Sequence, residues 1–244
     1  MRINSPLLAT TGLLLSLTSL TSEAILTPYT SADQSLVYSS VSNITWTADA
    51  NLLGSLITSQ GYNNIVNAIT AASPVITDTP NFYDTPSDSG THTLSTVDFG
   101  VNGLVSWFGA QAFVSYLNTI NYAGSNQWAL PSAGANPKFG YHQSGGQFGQ
   151  LFYSELGGRV GEIPNTESFT NEQTSGYWLG PEYGMVAATG WTFVTYDGRQ
   201  DVFGKDQLFC AWAVMSAVPI QGAIWLMGSG LLGLLGLKRR GHAG

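Results

Sequence analysis

Three aspartates within ten residues, Asp197, Asp201 and Asp206, offer oxygens of the kind that calcium gathers about six to eight at a time. Glu155, Glu162, Glu167 and Glu172 precede them. Their spacing does not follow an EF-hand loop, so solvated surface carboxylates are the plainer reading of the group. Aromatic rings supply a second kind of chemistry, because their faces take up the C–H surfaces of sugars. Tyr141, Tyr153 and Tyr183 stand in polar loops and are the candidate stacking residues. The six tryptophans before residue 217 (Trp46, Trp107, Trp128, Trp178, Trp191 and Trp212) read instead as core, since each buries a large apolar area. Catalytic patterns are sparse. His92 and His142 are far apart with no triad around either, and Cys210 lies alone in an apolar stretch, as an inert buried thiol does. Paired carboxylates for glycoside hydrolysis leave no signature in sequence. Asn43-Ile44-Thr45 has the form of a glycosylation sequon, read here as coincidence.

The background to these residues is acidic and polar. Of 244 residues only 9% are charged, against about a quarter in ordinary soluble domains. Residues 25–217 hold four basic and fourteen acidic side chains, ten net negative charges. Such a body has no basic stripe, which excludes nucleic acid as a partner. A single cysteine excludes an internal disulfide framework and Cys-based zinc.

Both ends read as addresses. Residues 1–24 carry Arg2, a short apolar stretch from Leu7 to Leu20, and Ser22-Glu23-Ala24, the pattern of a secretory signal for signal peptidase. Val218 to Leu237 is an uncharged run of twenty residues followed by Lys238, Arg239 and Arg240. That is long enough for one membrane span, with the cations marking its cytoplasmic end.

Between the ends, helix signals come first. Leu52, Leu53, Leu56 and Ile57 make an apolar stripe that Gly61 stops, and Ile65, Val66 and Ile69 continue a weaker pattern to Ser73-Pro74. A better-formed helix follows, with Asn102 as its expected cap and Leu104, Trp107, Phe108, Ala110, Gln111, Val114 and Leu117 on one face. Residues 25–42 read as an irregular leader, and Pro74–Gly100 as a surface loop. In the last third, Tyr177-Trp178-Leu179 and Trp191–Tyr196 read as strands, with Asp197-Gly198 as a hairpin turn. Gln207–Val214 is expected to pair onward, Phe209, Ala211 and Ala213 facing one way and Cys210, Trp212 and Val214 the other. Helices first and strands last give an α+β class.

Two resemblances sharpen this reading. Val218-Pro219-Ile220, then Ala223-Ile224-Trp225-Leu226-Met227-Gly228-Ser229-Gly230-Leu231-Leu232-Gly233-Leu234 and the basic tail, resemble a PEP-CTERM sorting signal over residues 218–240. The resemblance implies an exosortase-type protease that recognises Val218, Pro219 and Ile220 and releases its cargo from the membrane to the envelope or extracellular matrix. Gln221 and Gly222 stand where a second proline is usual.

The body carries an ordered set of motifs: Ile44-Thr45-Trp46-x-x-Asp49-Ala50-Asn51, Gly103-Leu104-Val105-Ser106-Trp107-x-x-Ala110-x-Ala112 and Trp128-Ala129-Leu130-Pro131. Tyr177-Trp178-Leu179-Gly180-x-Glu182-Tyr183, Gly190-Trp191-x-Phe193, Gly198-x-Gln200, Lys205 and Ala211-Trp212-Ala213-Val214 complete it. Over residues 43–215 this order resembles the Lcl C-terminal domain family. The resemblance implies a single C-type-lectin-like domain with two helices and a C-terminal antiparallel sheet. It also implies an extracellular setting and an adhesive role. Ala129 replaces the family's usual arginine, and the acidic body is ill suited to a polyanion, so a sulfated ligand is not carried over. The lectin-like sugar–calcium tripeptides Glu-Pro-Asn and Gln-Pro-Asp are absent. The expectation is therefore a non-enzymatic, exported binding protein for neutral or weakly charged polysaccharide, with calcium as a candidate cofactor. A structural surface protein without a ligand is the alternative, and a glycoside hydrolase is third.

Overall fold

The structure is a computed structural model that describes residues 25–161 and 166–217. The described residues form a mixed α+β architecture with four helices and antiparallel sheets. The first surprise is at the start. Residues 25–42 are not a leader: β1 (Leu26–Ser31) and β2 (Gln34–Ser39) form a hairpin, turned by Ala32 and Asp33 at φ 45° and 62°. Two consecutive left-handed residues match the twist that paired strands need. β2 then pairs with β3 (Ile44–Thr47), every residue of which is buried. Leu36 and Val37 in β2 are both fully buried, on opposite sides of the sheet, so the hairpin is integral to the fold.

The helical stripes fold largely as their spacing predicts. α1 (Leu52–Gln60) is capped by Asn51, whose side chain accepts from the Gly54 amide, and Gly61 at φ 90° separates it from α2 (Tyr62–Ala72). α3 (Trp107–Thr119) begins four residues later than Asn102 would place it, because Ser106 is the cap and accepts from the Gly109 amide at 3.0 Å. The delay has a cause: Val105 exchanges both backbone hydrogen bonds with Phe209, holding the chain extended up to Ser106. Asn102 instead takes the Asn51 side-chain amide on its carbonyl, tying the α1 cap to the loop. A short α4 (Gln147–Gln150) makes the helix count four rather than two, and runs into a π-helical turn at Leu151–Glu155.

The expected loop at 74–100 also holds structure. β4 (Val75–Thr77) and β5 (Thr91–Thr93) pair across it, and Asp78–Gly90 forms a strap between them. Near the end, β7 (Gly176–Glu182), β8 (Thr189–Val194) and β9 (Arg199–Gly204) make the expected antiparallel sheet around Asp197-Gly198. Beyond β9 the chain meets that sheet again at Cys210, in a parallel bridge to Tyr177 whose backbone bonds run to Gly176 and Trp178. Only Val214–Ser216 becomes a strand, β10, and it inserts between β3 and β6 (Trp128–Ala129) in the first sheet.

Two apolar clusters lie on either side of these segments. One packs α1, α2 and α3 with Trp128 and Trp178; the other gathers Trp46, Phe148, Phe152, Tyr177, Phe193 and Trp212. Residues 210–215 run between them with a period of two, Ala211, Ala213 and Met215 facing the first and Cys210, Trp212 and Val214 the second. All six tryptophans among the described residues are buried, and burial pushes the Cys210 thiol up to about 12. Phe148 is the hub of the second cluster, within 5.5 Å ring-centre distance of Trp46, Tyr177, Phe193 and Trp212.

Among the described residues no helix is long and apolar enough to cross a membrane. Residues 1–24 and the sorting segment, with Val218, Pro219 and Ile220, lie outside the described residues.

Phe148→Ala is expected to lower unfolding free energy by about 3–5 kcal/mol, read by chemical denaturation. Starting the chain at residue 43 removes β1 and β2 and exposes both cores. That protein is expected to lose its cooperative unfolding transition, whereas residues 25–217 keep it.

Candidate functional site

The expected stacking residues separate into different environments. Tyr183 follows β7 in a tight loop, held by Tyr183 amide to Thr189 carbonyl and Val186 amide to Tyr183 carbonyl bonds of 2.9 and 3.0 Å. Its ring stands edge-on to Trp191 at 5.4 Å and to Phe139 at 5.3 Å, and Phe139 lies over Trp191 at 4.9 Å. Phe139 reaches this place because Gly140 bonds Gln200 of β9 in both directions, while the Gln200 side chain donates to the Lys138 carbonyl. The result is a three-ring platform. Trp191 is buried beneath, and Phe139 is half exposed above. Exposed Met185 and Val186 border Tyr183, and exposed Tyr141 lies two residues beyond Phe139.

Tyr153 does not join this platform. Its hydroxyl donates to the Gly198 carbonyl at 2.5 Å and its ring packs on Phe152 and Phe193, so it braces the β8–β9 turn. Phe139 was not singled out in the sequence, where a phenylalanine in a Gly-rich loop gives no periodic signal. The pairing of Gly140 with β9 is what turns it into a surface group.

The three aspartates do not converge. Asp197 and Asp201 flank Arg199, whose Nε lies 3.9 and 3.4 Å from their carboxylates. Asp206 instead accepts the Tyr83 hydroxyl at 2.6 Å, helping burial to push that phenol up to about 12. Among the described residues no group of three or more His, Cys, Asp or Glu side chains is arranged to hold a metal ion.

A denser polar cluster lies where sequence spacing could not point. Lys205 follows β9 with its backbone fixed by bonds to Ala188 and Trp107. Its side chain is fully buried, with Nζ 2.5 Å from Asp78 Oδ2 and 3.2 Å from Glu182 Oε2. The Trp107 and Phe108 rings lie 4.8 and 5.5 Å from the same nitrogen. Asp78 is also sealed from solvent, and burial pushes its carboxyl up against the pull of Lys205. Its Oδ2 takes a second bond from the Asn81 side chain at 2.8 Å, but Oδ1 has no partner. Asp84 closes the strap by accepting the Asn81 and Gly90 amides, which hold its carboxyl down although burial opposes them.

Beside this cluster, His92 stacks on Phe108 at 3.8 Å. Its Nδ1 faces the Tyr83 carbonyl at 2.8 Å and its Nε2 faces Asp98 at 3.2 Å. Both neighbours are acceptors, so the doubly protonated ring satisfies them together. Burial works against that charge, yet the Asp98 carboxylate and the Tyr83 carbonyl prevail and raise the His92 pKa. Asp98 is likewise opposed by burial but held down by His92, Ser106 and the Ser95 amide. Ser106 donates to Asp98 at 2.6 Å, so Asp98 sits between serine and histidine. A hydrolytic triad needs the histidine in that middle place to take the serine proton. Here Ser106 caps α3, and the group fastens the β5 region to the helix start.

Compared with protein-family models, with curated proteins and with solved structures, the chain matches none.

The His92–Asp98 pair sets a pH window. Asp98, depressed below 3.8, contributes stability above that value and loses it as pH falls through its folded pKa. His92, raised above 6.5, contributes fully below 6.5 and loses that contribution as pH rises through its folded pKa. Thermal midpoints are expected to fall between pH 6 and pH 9, and His92→Gln is expected to flatten that slope.

Proposed function

We propose that this protein is an exported surface or matrix protein that holds polysaccharide without altering it. The observation that carries this reading is the platform of Phe139 and Tyr183 over Trp191. Rigid rings backed by a buried third ring lose little freedom on meeting a sugar face, which favours binding over a broad, shallow surface. Tyr183 directs its hydroxyl to the Met185 sulfur, at 3.5 Å, a weak acceptor that a sugar hydroxyl can displace. The net charge of −10 over residues 25–217 favours a neutral or weakly charged glycan over a sulfated one.

The α+β order, with helices early and the three-stranded sheet late, supports a C-type-lectin-like domain akin to the Lcl C-terminal family. Its boundary is drawn to include β1 and β2. Signal peptidase at one end and an exosortase-type protease at Val218-Pro219-Ile220 give the route, through a transient membrane stage, to the envelope or matrix. A hydrolytic reading gains no support from Asp78 and Glu182, because both are paired with Lys205 and Asp78 is sealed.

The test is binding of residues 25–217 to neutral, acidic and sulfated polysaccharides by calorimetry. Saturable binding to a neutral class is expected, with affinity falling roughly tenfold or more in Phe139→Ala and Tyr183→Ala, since a stacked ring contributes on the order of 1–3 kcal/mol by analogy with stacked bases. Chelation is expected to leave binding unchanged, because Asp197 and Asp201 face Arg199. Folded protein that binds no class would overturn the reading in favour of a structural surface protein.

A further inference from the structure

We propose that Lys205 and Asp78 become joined by an isopeptide bond that the protein forms on itself, with Glu182 carrying the proton. The reaction partners already touch. Lys205 Nζ lies 2.5 Å from Asp78 Oδ2, both side chains are fully buried, and 127 positions separate them in sequence. Holding an amine and a carboxyl in one fixed contact replaces a bimolecular encounter, an advantage on the order of 10⁵ M or more in effective concentration.

The surroundings favour the protonated Asp78 carboxyl that condensation needs. Trp107 and Phe108 wall the site, and a buried charge pair is costly when its hydrogen bonds are incomplete. They are incomplete here, because Asp78 Oδ1 is buried without a partner. Burial also raises the Asp78 carboxyl toward its protonated form. Transfer of one proton from the Lys205 ammonium to Asp78 gives a free amine beside a carboxylic acid.

The step then balances without any co-reactant. The Nζ lone pair attacks Asp78 Cγ and the Nζ–Cγ bond forms. Glu182 Oε2, 3.2 Å from Nζ, takes one amine proton and delivers it to the departing hydroxyl. The Cγ–Oδ2 bond breaks, and Oδ2, which took the first proton from Nζ at 2.5 Å, leaves as water with no change of oxidation state. Oδ1 remains as the amide oxygen, and Oδ2, where Asn81 donates at 2.8 Å, is the one lost. Glu182 is 21% exposed, so the proton carrier and the water have a way to solvent. The product removes both buried charges, leaves an N–H facing Glu182, and clamps the Asp78–Gly90 strap to the end of β9.

This assignment is independent of ligand binding. The test is a peptide map of the full chain, digested with chymotrypsin after denaturation. Expected is a branched peptide joining the Asp78 and Lys205 segments, lighter than their sum by one water, with the two linear peptides lost. Lys205→Arg keeps the charge but cannot form this bond, and both segments should return unlinked with a lower melting temperature. Glu182→Gln keeps the shape, and is expected to return unlinked peptides from protein whose circular dichroism is unchanged. Unlinked peptides from the natural sequence would overturn the proposal. Full linkage in Glu182→Gln would overturn the role given to Glu182.

Discussion

A lysine with no exposed surface is the constraint around which the molecule is arranged. An ammonium cannot be left alone in an apolar setting, so every element near Lys205 is placed to answer it. The strap after β4 brings Asp78, the end of β7 brings Glu182, and the first turn of α3 brings two aromatic faces. One side chain thus fixes the relation of the early hairpin β4–β5, the central helix and the late sheet. Removing Lys205 leaves Asp78 buried without its cation, which is the costly way to break such a pair.

The neighbouring group of His92, Asp98 and Ser106 repeats the logic with different chemistry. Asp98 is a hub that receives a helix cap, a ring nitrogen and a backbone amide. Together the two clusters explain how a chain with few charges keeps a 27-residue polar excursion, 74–100, pinned to its core. Among the described residues, Asp78, Asp84, Asp98, Glu182 and Lys205 are used in these clusters, and Asp197, Arg199 and Asp201 meet beside the β8–β9 turn.

What the sequence made legible follows from range. Local periodicity places α1, α2 and α3, and the bulky alternation near 177 and 191 places β7 and β8, because those signals lie within a few residues. The same holds for the two-faced run at 210–215, even though only its end is a strand. Residues 25–42 escape the sequence reading because Thr-Pro-Tyr-Thr-Ser is polar, proline-bearing and not buried even as β1, while the burial that holds the hairpin lies in β2, where it meets β3. Asn102 offered the right chemistry for a cap, but the pairing of Val105 with Phe209, far along the chain, overrides it. The platform and the Lys205 cluster could not be read at all, since Phe139 and Trp191, like Asp78 and Lys205, meet only through the fold. Lys205 stood in the motif series without any indication of its partners.

The place of β10 gives the first sheet a mechanical character. It is the last described strand, yet it lies inside the sheet, bonded to β3 on one side and to β6 on the other. Backbone bonds in antiparallel pairs run across the strand direction. A pull on the chain beyond Ser216 therefore loads those bonds in shear, sharing the force among them, where an edge strand peeled from one end would break them in turn. Tension applied from that side passes through a strand that yields only when several bonds give way together.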